Sequence, residues 1–138
     1  MSGYSGTPLV KKLGLKEAFR VTFPGAPEGF AATLGHLPAG VSLVESGVVD
    51  LAVLFAHLRA DLESKFENLA TRLVPDGMLW VAWPKKTSRV PTDLTENVVR
   101  EVGLEAGLVD VKVCAIDEVW SGLKFVIRIK DRPRTPQS

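Results

Sequence analysis

Basic side chains follow an apolar run in the segment LWVAWPKKTSRV, residues 79–90. Lys85, Lys86 and Arg89 come soon after Trp83, at the point where a buried strand is predicted to end. Lysines bind phosphate or carboxylate groups as point charges, and a flat tryptophan ring offers a wall for a ring-shaped ligand. We therefore predict that this edge binds a small anion or a protein partner. The alternative is a solvated loop whose charges keep the edge soluble, with the tryptophan packed in the core.

One histidine stands where α/β enzymes place catalytic groups. His57 follows the apolar run VDLAVLFA, which predicts a position at the carboxyl end of a buried strand. It is the candidate for a catalytic base, and the alternative is a surface residue at the start of a helix. The two histidines and one cysteine lack metal-ligand spacing, and the chain has no Gly-x-Ser-x-Gly elbow and no Walker loop. We therefore predict no metal site and favour a non-catalytic protein.

The composition is that of an ordinary globular domain without a strong overall charge. The chain has 138 residues, of which 46% are hydrophobic and 24% charged, and its formal net charge is +1. We predict one α/β domain over residues 1–131 and a disordered polar tail over residues 132–138. A single cysteine, with no signal-peptide pattern and no apolar run of membrane length, predicts a cytoplasmic protein that does not bind membranes.

Nucleic-acid binding is a further alternative for the basic residues. It would combine the Lys85 segment with Lys130, Arg132 and Arg134 near the end of the chain. The net charge of +1 argues against strong non-specific binding, because such binding depends on neutralising phosphates. We therefore place a small anion or a protein partner ahead of nucleic acid, and the oligomeric state stays open.

Six apolar segments predict strands, and the spacing between them predicts helices. Four are continuous apolar runs, as expected of buried parallel strands: 19–23, 41–44, 49–55 and 78–83. Two further segments, 109–115 and 123–130, alternate apolar and polar residues and predict an antiparallel hairpin, with the valines of the first on the buried face. Strands that alternate with helices require crossover connections. We predict a three-layer α/β/α Rossmann-like fold with a mostly parallel sheet of about six strands.

Four helices are predicted to connect these strands. The longest carries an apolar stripe at steps of three and four: Leu58, Leu62, Phe66, Leu69 and Leu73. Pro75-Asp76-Gly77 predicts the turn that follows it. A second helix is predicted over residues 7–14, capped by its first residue, and a third over residues 27–34. The fourth is predicted to start at Asp93, with Glu96 as its capping-box partner.

The second half of the chain resembles class I S-adenosylmethionine-dependent methyltransferases. The order of elements from DLAVLF through LVPDGMLWVAWP to GLVDVKVCAIDEVWSGLKFVIR is similar to that family, which ends its sheet in an antiparallel hairpin. The resemblance implies S-adenosylmethionine as the cofactor, with Gly25 and Gly29 in the cofactor loop and Glu45 on the ribose hydroxyls. The loop FPGAPEGF departs from the family's glycine-rich pattern, because Pro24 and Pro27 fix the backbone and remove N–H donors.

The whole chain resembles a family of small bacterial proteins of unknown function. The residues that carry the resemblance are the start GYSGTPLVKKLG, the segment APEGF and the core LWVAWPKK. Our first hypothesis is a non-catalytic binding domain on a degenerate methyltransferase-like scaffold, with no cofactor. The alternative is a methyltransferase with an unorthodox cofactor loop and His57 as its base. That alternative requires an open groove, which Phe30, Pro27 or the N-terminal segment Tyr4-Ser5-Gly6-Thr7 would otherwise fill.

Overall fold

The computed structural model describes residues 7–132, so Tyr4 to Gly6 and Arg134 lie outside the described residues. The helices are α1 (Leu9–Leu13), α2 (Phe30–Leu34), α3 (Arg59–Arg72) and α4 (Glu96–Glu105). The strands are β1 (Arg20–Thr22), β2 (Ser42–Leu43), β3 (Val49–Phe55), β4 (Leu73–Pro84), β5 (Leu108–Ala115) and β6 (Trp120–Ile127). Short 3-10 turns cover Lys86–Ser88 and Ile129–Asp131. Within residues 7–132, no helix has the length and apolar content needed to cross a membrane.

All six strands form one mixed sheet in the order β2-β1-β3-β4-β6-β5. The neighbours from β2 to β4 are parallel, whereas β6 runs antiparallel to both β4 and β5. Parallel neighbours cannot be joined by tight turns, so longer segments with helices connect them. α3 and α4 pack on one face of the sheet, and α1 and α2 pack on the other. The predicted three-layer Rossmann-like fold with a terminal antiparallel hairpin is therefore confirmed.

The side chains of β3 and β4 alternate between two apolar cores, which is why both sequences are continuously apolar. On one face Leu54 and Val81 pack with α3 and α4, and on the other Val53 and Trp80 pack with α1 and α2. Trp80 is fully buried and donates its indole N–H to the main-chain oxygen of Leu13 at 2.9 Å. This bond satisfies the polar atom of a buried ring and fixes the end of α1 on the sheet.

Several predicted boundaries move by a few residues. Leu58 is 49% exposed and extended, so it does not belong to the buried stripe of α3. The predicted turn at 75–77 lies inside β4, where the register with β3 shifts and residues 74–77 lie opposite Asp50 alone. The helix predicted over 27–34 begins only at Phe30, because the preceding glycine has a positive φ. Pro8, and not Thr7, is at the N-cap position of α1, which has no side-chain cap.

The cap predicted for α4 is wrong, because Asp93 caps a different helix. Thr95 is the N-cap of α4, and its hydroxyl accepts a hydrogen bond from the Val98 main-chain N–H at 3.2 Å. The Asp93 carboxylate instead accepts from the main-chain N–H of Arg59 at 2.7 Å, at the start of α3. Leu58 precedes that helix and has no polar side chain to cap it, so a residue from another loop satisfies the free N–H.

The predicted buried face of the first hairpin strand is also wrong. Val111 and Val113 of β5 are 51% and 46% exposed. β5 is the edge of the sheet, and its register with β6 shifts between Asp110 and Lys112. An irregular edge strand does not keep one face under the neighbouring helix layer, so alternation of apolar and polar residues does not predict which side chains are buried there.

Candidate functional site

The connections after β1 and β3 leave the sheet in opposite directions. β1 leads to α2 and then to β2 on one side, whereas β3 leads through α3 to β4 on the other. Such a topological switch point opens a crevice outside the carboxyl ends of the two strands, where α/β proteins bind their ligands. In this chain residues 23–29 and residues 56–58 frame the crevice.

Gly25 lets the loop after β1 turn tightly against β3. The main-chain oxygen of Pro24 accepts a hydrogen bond from Phe55 N–H at 2.9 Å, so the loop stays joined to β3 past the end of β1. Gly25 has a φ of +75°, and a Cβ atom at this position would lie 2.6 Å from the Phe55 main-chain oxygen. The resemblance to methyltransferases places Gly25 in the cofactor loop, and the structure shows that the close approach of two backbone segments requires a glycine there.

Gly29 meets a different environment, beside an apolar cavity. Its φ is +91°, and a Cβ atom there would have no heavy atom within 4 Å. The cavity has a volume of about 300 Å³ and lies between the loop, α2 and β2. Its wall is almost wholly apolar and includes Phe23, Pro27, Phe30, Leu37 and Leu43. This volume is at the small end of the range for ligand sites, and it suits a flat ring.

Glu45 lies just past the carboxyl end of β2, two residues beyond Leu43, which lines the cavity. Its side chain is exposed, and it forms no ion pair or hydrogen bond with any residue from 7 to 132. A free carboxylate beside an apolar cavity is able to accept hydrogen bonds from sugar hydroxyls. Glu45 does not itself form part of the cavity wall.

An aromatic chain underlies the crevice. Phe30 is 4% exposed and contacts Phe23 and Phe55 edge-to-face, with ring centroids 5.2 Å and 4.8 Å apart. Phe55 contacts Trp120 at 5.0 Å, and Trp120 contacts His57 at 5.2 Å. Phe30 therefore fills the space between α2 and the sheet and forms a wall of the cavity, which it leaves open beside Pro27.

The residues around the cavity fit the adenosine end of S-adenosylmethionine. The apolar wall suits a purine ring, the open space at Gly29 admits close approach to the backbone, and Glu45 offers a carboxylate for ribose. The wall has no charged side chain for the amino-acid end of that cofactor. The sequence did not single out Phe23, Leu37 or Leu43 as site residues.

His57 is exposed at the same edge and is held by its main chain. Its carbonyl oxygen accepts hydrogen bonds from the Asp93 N–H at 3.2 Å and from the Thr92 hydroxyl at 2.5 Å. Its ring contacts Trp120, and within residues 7–132 no carboxylate pairs with it. No other side chain in the described part of the protein therefore orients its imidazole as a catalytic dyad would.

The basic residues follow the carboxyl end of β4, and Trp83 is not part of their surface. Lys85 is half-buried, and its main-chain N–H donates to the Val119 oxygen at 2.7 Å. Lys86 and Arg89 are exposed, and none of the three basic side chains has a hydrogen-bond or ion-pair partner among residues 7–132. Trp83 is 6% exposed and packs in the core beneath α3 and α4, so it offers no wall to a ligand.

The basic residues grouped for nucleic-acid binding do not form one patch. Lys85 lies beside the start of β6, whereas Lys130 and Arg132 follow the end of that strand. An eight-residue strand separates the two ends by roughly 25 Å. Arg132 also donates its Nε hydrogen to the Ile127 oxygen at 3.0 Å. The predicted set is therefore split between opposite ends of the sheet.

Metal binding finds no support in the described residues. Among residues 7–132, no group of three or more histidine, cysteine, aspartate or glutamate side chains is arranged to hold a metal ion. Cys114 is a half-buried free thiol on β5, where burial raises its pKa.

Comparison with solved structures identifies the scaffold. The chain is similar to an S-adenosylmethionine-dependent methyltransferase from Aquifex aeolicus, with a TM-score of 0.62 and 18% identity, over 85% of this chain and 86% of that one. It is also similar to a ribosomal protein L11 methylase from Lactobacillus delbrueckii subsp. bulgaricus, with a TM-score of 0.57 and 13% identity, over 86% and 74% of the two chains.

A third similar structure is a magnesium protoporphyrin IX methyltransferase from Synechocystis PCC 6803, solved with bound S-adenosylmethionine. Its TM-score is 0.55 at 12% identity, over 86% of this chain and 74% of that one. No protein-family model and no curated protein sequence matches the chain. The likeness is one of fold, and it shows that the chain has the Rossmann-like fold found in these methyltransferases.

Proposed function

We propose that this chain binds S-adenosylmethionine at the switch-point crevice, as a methyltransferase-like domain with an atypical cofactor loop. The observation that carries the proposal is the apolar cavity of about 300 Å³ between the loop after β1 and the end of β2. Its position beside the switch point is the one at which open α/β sheets bind nucleotides. The similar methyltransferase solved with this cofactor supports the same choice over a scaffold without any cofactor.

The residues at the crevice would bind different parts of the cofactor. Phe23, Pro27 and Leu43 would hold the purine ring by apolar contact, and the backbone at Gly29 would approach the nucleoside. Glu45 would accept hydrogen bonds from the ribose hydroxyls. The bound cofactor supplies an electrophilic methyl group. His57 is the exposed side chain at this edge that we assign to receiving a proton from an acceptor molecule.

Thermal unfolding with added ligand tests the proposal. S-adenosylmethionine or S-adenosylhomocysteine at about 100 times its dissociation constant stabilises the fold by about 2.7 kcal/mol, which raises the midpoint by roughly 5–10 °C. The Glu45→Gln variant should lose most of this shift, and Glu17→Gln, another exposed carboxylate, should keep it. If millimolar concentrations of both ligands leave the wild-type midpoint unchanged, the proposal is wrong.

A second candidate function is anion or partner binding at the basic edge. The observation that favours it is that Lys85 is half-buried and that Lys85, Lys86 and Arg89 have no counter-ion among residues 7–132. Free phosphate or ATP should then raise the midpoint where the methionine-derived ligands do not. Lys85→Ala and Lys86→Ala should leave the unliganded midpoint intact and remove that shift. Equal phosphate shifts in the variants and the wild type would exclude this edge.

A further inference from the structure

Four lysines meet on the sheet face that carries α1, away from both sites described above. Lys112 of β5 and Lys124 of β6 are direct cross-strand partners, and Lys124 is paired in turn with Trp80 of β4. Since Trp80 bonds to the Leu13 oxygen, the end of α1 lies over that strand. Lys12 and Lys16 lie one residue before and three residues after Leu13, so this contact holds them on the same face of the sheet as the other two lysines. The charge of Lys16 also lowers the pKa of Lys124. We call these four residues the lysine face.

Ion pairs within the described residues do not neutralise the lysine face. None of the four side chains forms an ion pair or a hydrogen bond with any residue from 7 to 132. Burial lowers the pKa of Lys124, and the charges of Lys112 and Lys16 lower it further. Like charges directly opposite each other on neighbouring strands destabilise a sheet. The unliganded fold therefore bears a cost at this face that an anionic partner would relieve.

Protection of the sheet edge does not explain the arrangement. A lysine on an edge strand prevents pairing with another chain, and Lys112 on β5 is placed to do so. Lys124, however, belongs to the inner strand β6, where no free edge exists. Lys12 and Lys16 come from α1 and the segment after it. Three of the four charges therefore have no role in shielding the edge.

We propose that the lysine face binds the phosphate backbone of a nucleic acid. A phosphodiester chain offers closely spaced negative charges, and lysines neutralise them as point charges without demanding a fixed geometry. Protein interfaces are depleted in lysine, so a protein partner fits the composition less well. The overall charge of +1 excludes a global attractive field, and it does not remove a local one on a single face.

Fluorescence anisotropy with a short labelled single-stranded RNA, and in parallel with a duplex DNA, tests the proposal. The Lys124→Met variant keeps the apolar stem, and it should bind the RNA about tenfold more weakly than wild type. The slope of log K against log salt should fall by about 0.7 for each lysine removed. The control is Lys65→Met, because Lys65 is exposed on α3, which packs on the opposite face of the sheet.

The melting midpoint and the thermal shift with S-adenosylmethionine give two further measurements on the same variant. Lys124→Met should raise the melting midpoint of the unliganded protein while it weakens RNA binding, which a lysine with a structural role would not do. The S-adenosylmethionine shift of the variant should equal that of wild type, so failure of the two proposals can be told apart. Lys112→Gln, at an exposed position, repeats the binding test with little risk to folding.

The position of the bound nucleic acid is checked through Cys114, the single cysteine of the chain. Cys114 lies two residues beyond Lys112 on β5 and packs against the core on the same face of the sheet, so it lies beside the lysine face. Saturating RNA should slow modification of this thiol by an anionic disulfide reagent. The proposal is overturned if Lys124→Met and Lys112→Gln bind RNA with wild-type affinity and salt slope. It is also overturned if polyglutamate or anionic lipid vesicles displace RNA at equal charge concentration, or if RNA leaves the thiol rate unchanged.

Discussion

Two glycine substitutions in the loop after β1 separate a packing requirement from a binding one. Gly25→Ala and Gly29→Ala both place a Cβ atom on a residue with positive φ, at +75° and +91°. That strain costs about 1–2 kcal/mol in each variant. Only at position 25 does the new atom also meet the Phe55 main-chain oxygen, 2.6 Å away.

The clash at position 25 forces the backbone of the loop away from β3. Such overpacking costs about 1–3 kcal/mol in addition to the strain. We therefore expect the free energy of unfolding to fall by about 2–5 kcal/mol in Gly25→Ala and by about 1–2 kcal/mol in Gly29→Ala. Urea unfolding of the two variants and wild type, with the slopes compared, measures both values.

The effect on ligand binding should be larger in Gly29→Ala, although Gly25→Ala is the less stable variant. Gly29 lines the cavity, so its new methyl group should reduce the thermal shift with S-adenosylmethionine even though the variant stays folded. If Gly25→Ala is no less stable than Gly29→Ala, the close approach to Phe55 does not constrain the loop. If Gly29→Ala keeps the full shift, the ligand does not approach the backbone there.

Three further predictions concern the framework around the site. Gly103→Ala should lower the free energy of unfolding by up to about 2 kcal/mol in urea. Its Cβ would overlap the fully buried ring of Phe125 at a cost of about 1–3 kcal/mol, against a gain of about 1 kcal/mol in helix propensity; a more stable variant would contradict this. Asp93→Ala should cost about 1 kcal/mol by removing the cap of α3, and a cost confined to α4 in hydrogen exchange would show that the assignment is mistaken. The hydrogen bond from Arg100 holds the pKa of Asp110 below its usual value, so the stability this pair contributes is present above about pH 4 and is lost as the pH falls through the folded-state pKa. Asp110→Asn should therefore lose less stability than wild type on acidification in urea titrations, and parallel curves would refute the assignment.

The central elements were predictable because their signals are local. β3 was predicted with its observed bounds, since both of its faces are buried and the run from Val49 to Phe55 has no polar interruption except Asp50. The stripe of α3 was predicted from its helical spacing, and Leu62, Phe66 and Leu69 are buried on that helix. Leu58 precedes the helix and Leu73 begins β4. Trp83 was predicted either as a wall for a ligand or as a core residue, and its ring packs in the core.

The errors arose where a residue's partner is distant in the sequence. Asp93 has the residue type of a cap and stands just before a helix, yet its partner N–H belongs to α3, 34 positions away. The valines of β5 alternate correctly but belong to an irregular edge strand. Sequence patterns record periodicity and local capping, and they do not record which layer covers a strand.

The candidate site was predictable in position and not in detail. The rule that ligands bind beyond the carboxyl ends of the strands predicted the edge of the sheet at which the crevice lies. The resemblance to methyltransferases grouped Gly25 with Gly29. The different environments of the two glycines depend on the Phe55 backbone, which approaches one of them and not the other. The cavity depends equally on Leu37 and Leu43, exposed apolar residues in a stretch with no motif. The lysine face depends on the register of β5 with β6 and on the packing of α1 against the sheet, and local sequence patterns predict neither.

The hydrogen bonds around Asp93 join two loops that belong to different crossovers. Asp93 holds the first N–H of α3, while the main-chain oxygen of His57 holds both Asp93 and Thr92. The Thr92 hydroxyl also accepts from the Leu94 N–H at 3.0 Å. Neither loop can therefore open without the other, so the amide protons of Arg59, Asp93 and Leu94 should exchange with deuterium through one shared opening event. A ligand that binds either loop would slow hydrogen exchange in both loops. The exchange rates of these amides therefore report binding at this end of the sheet.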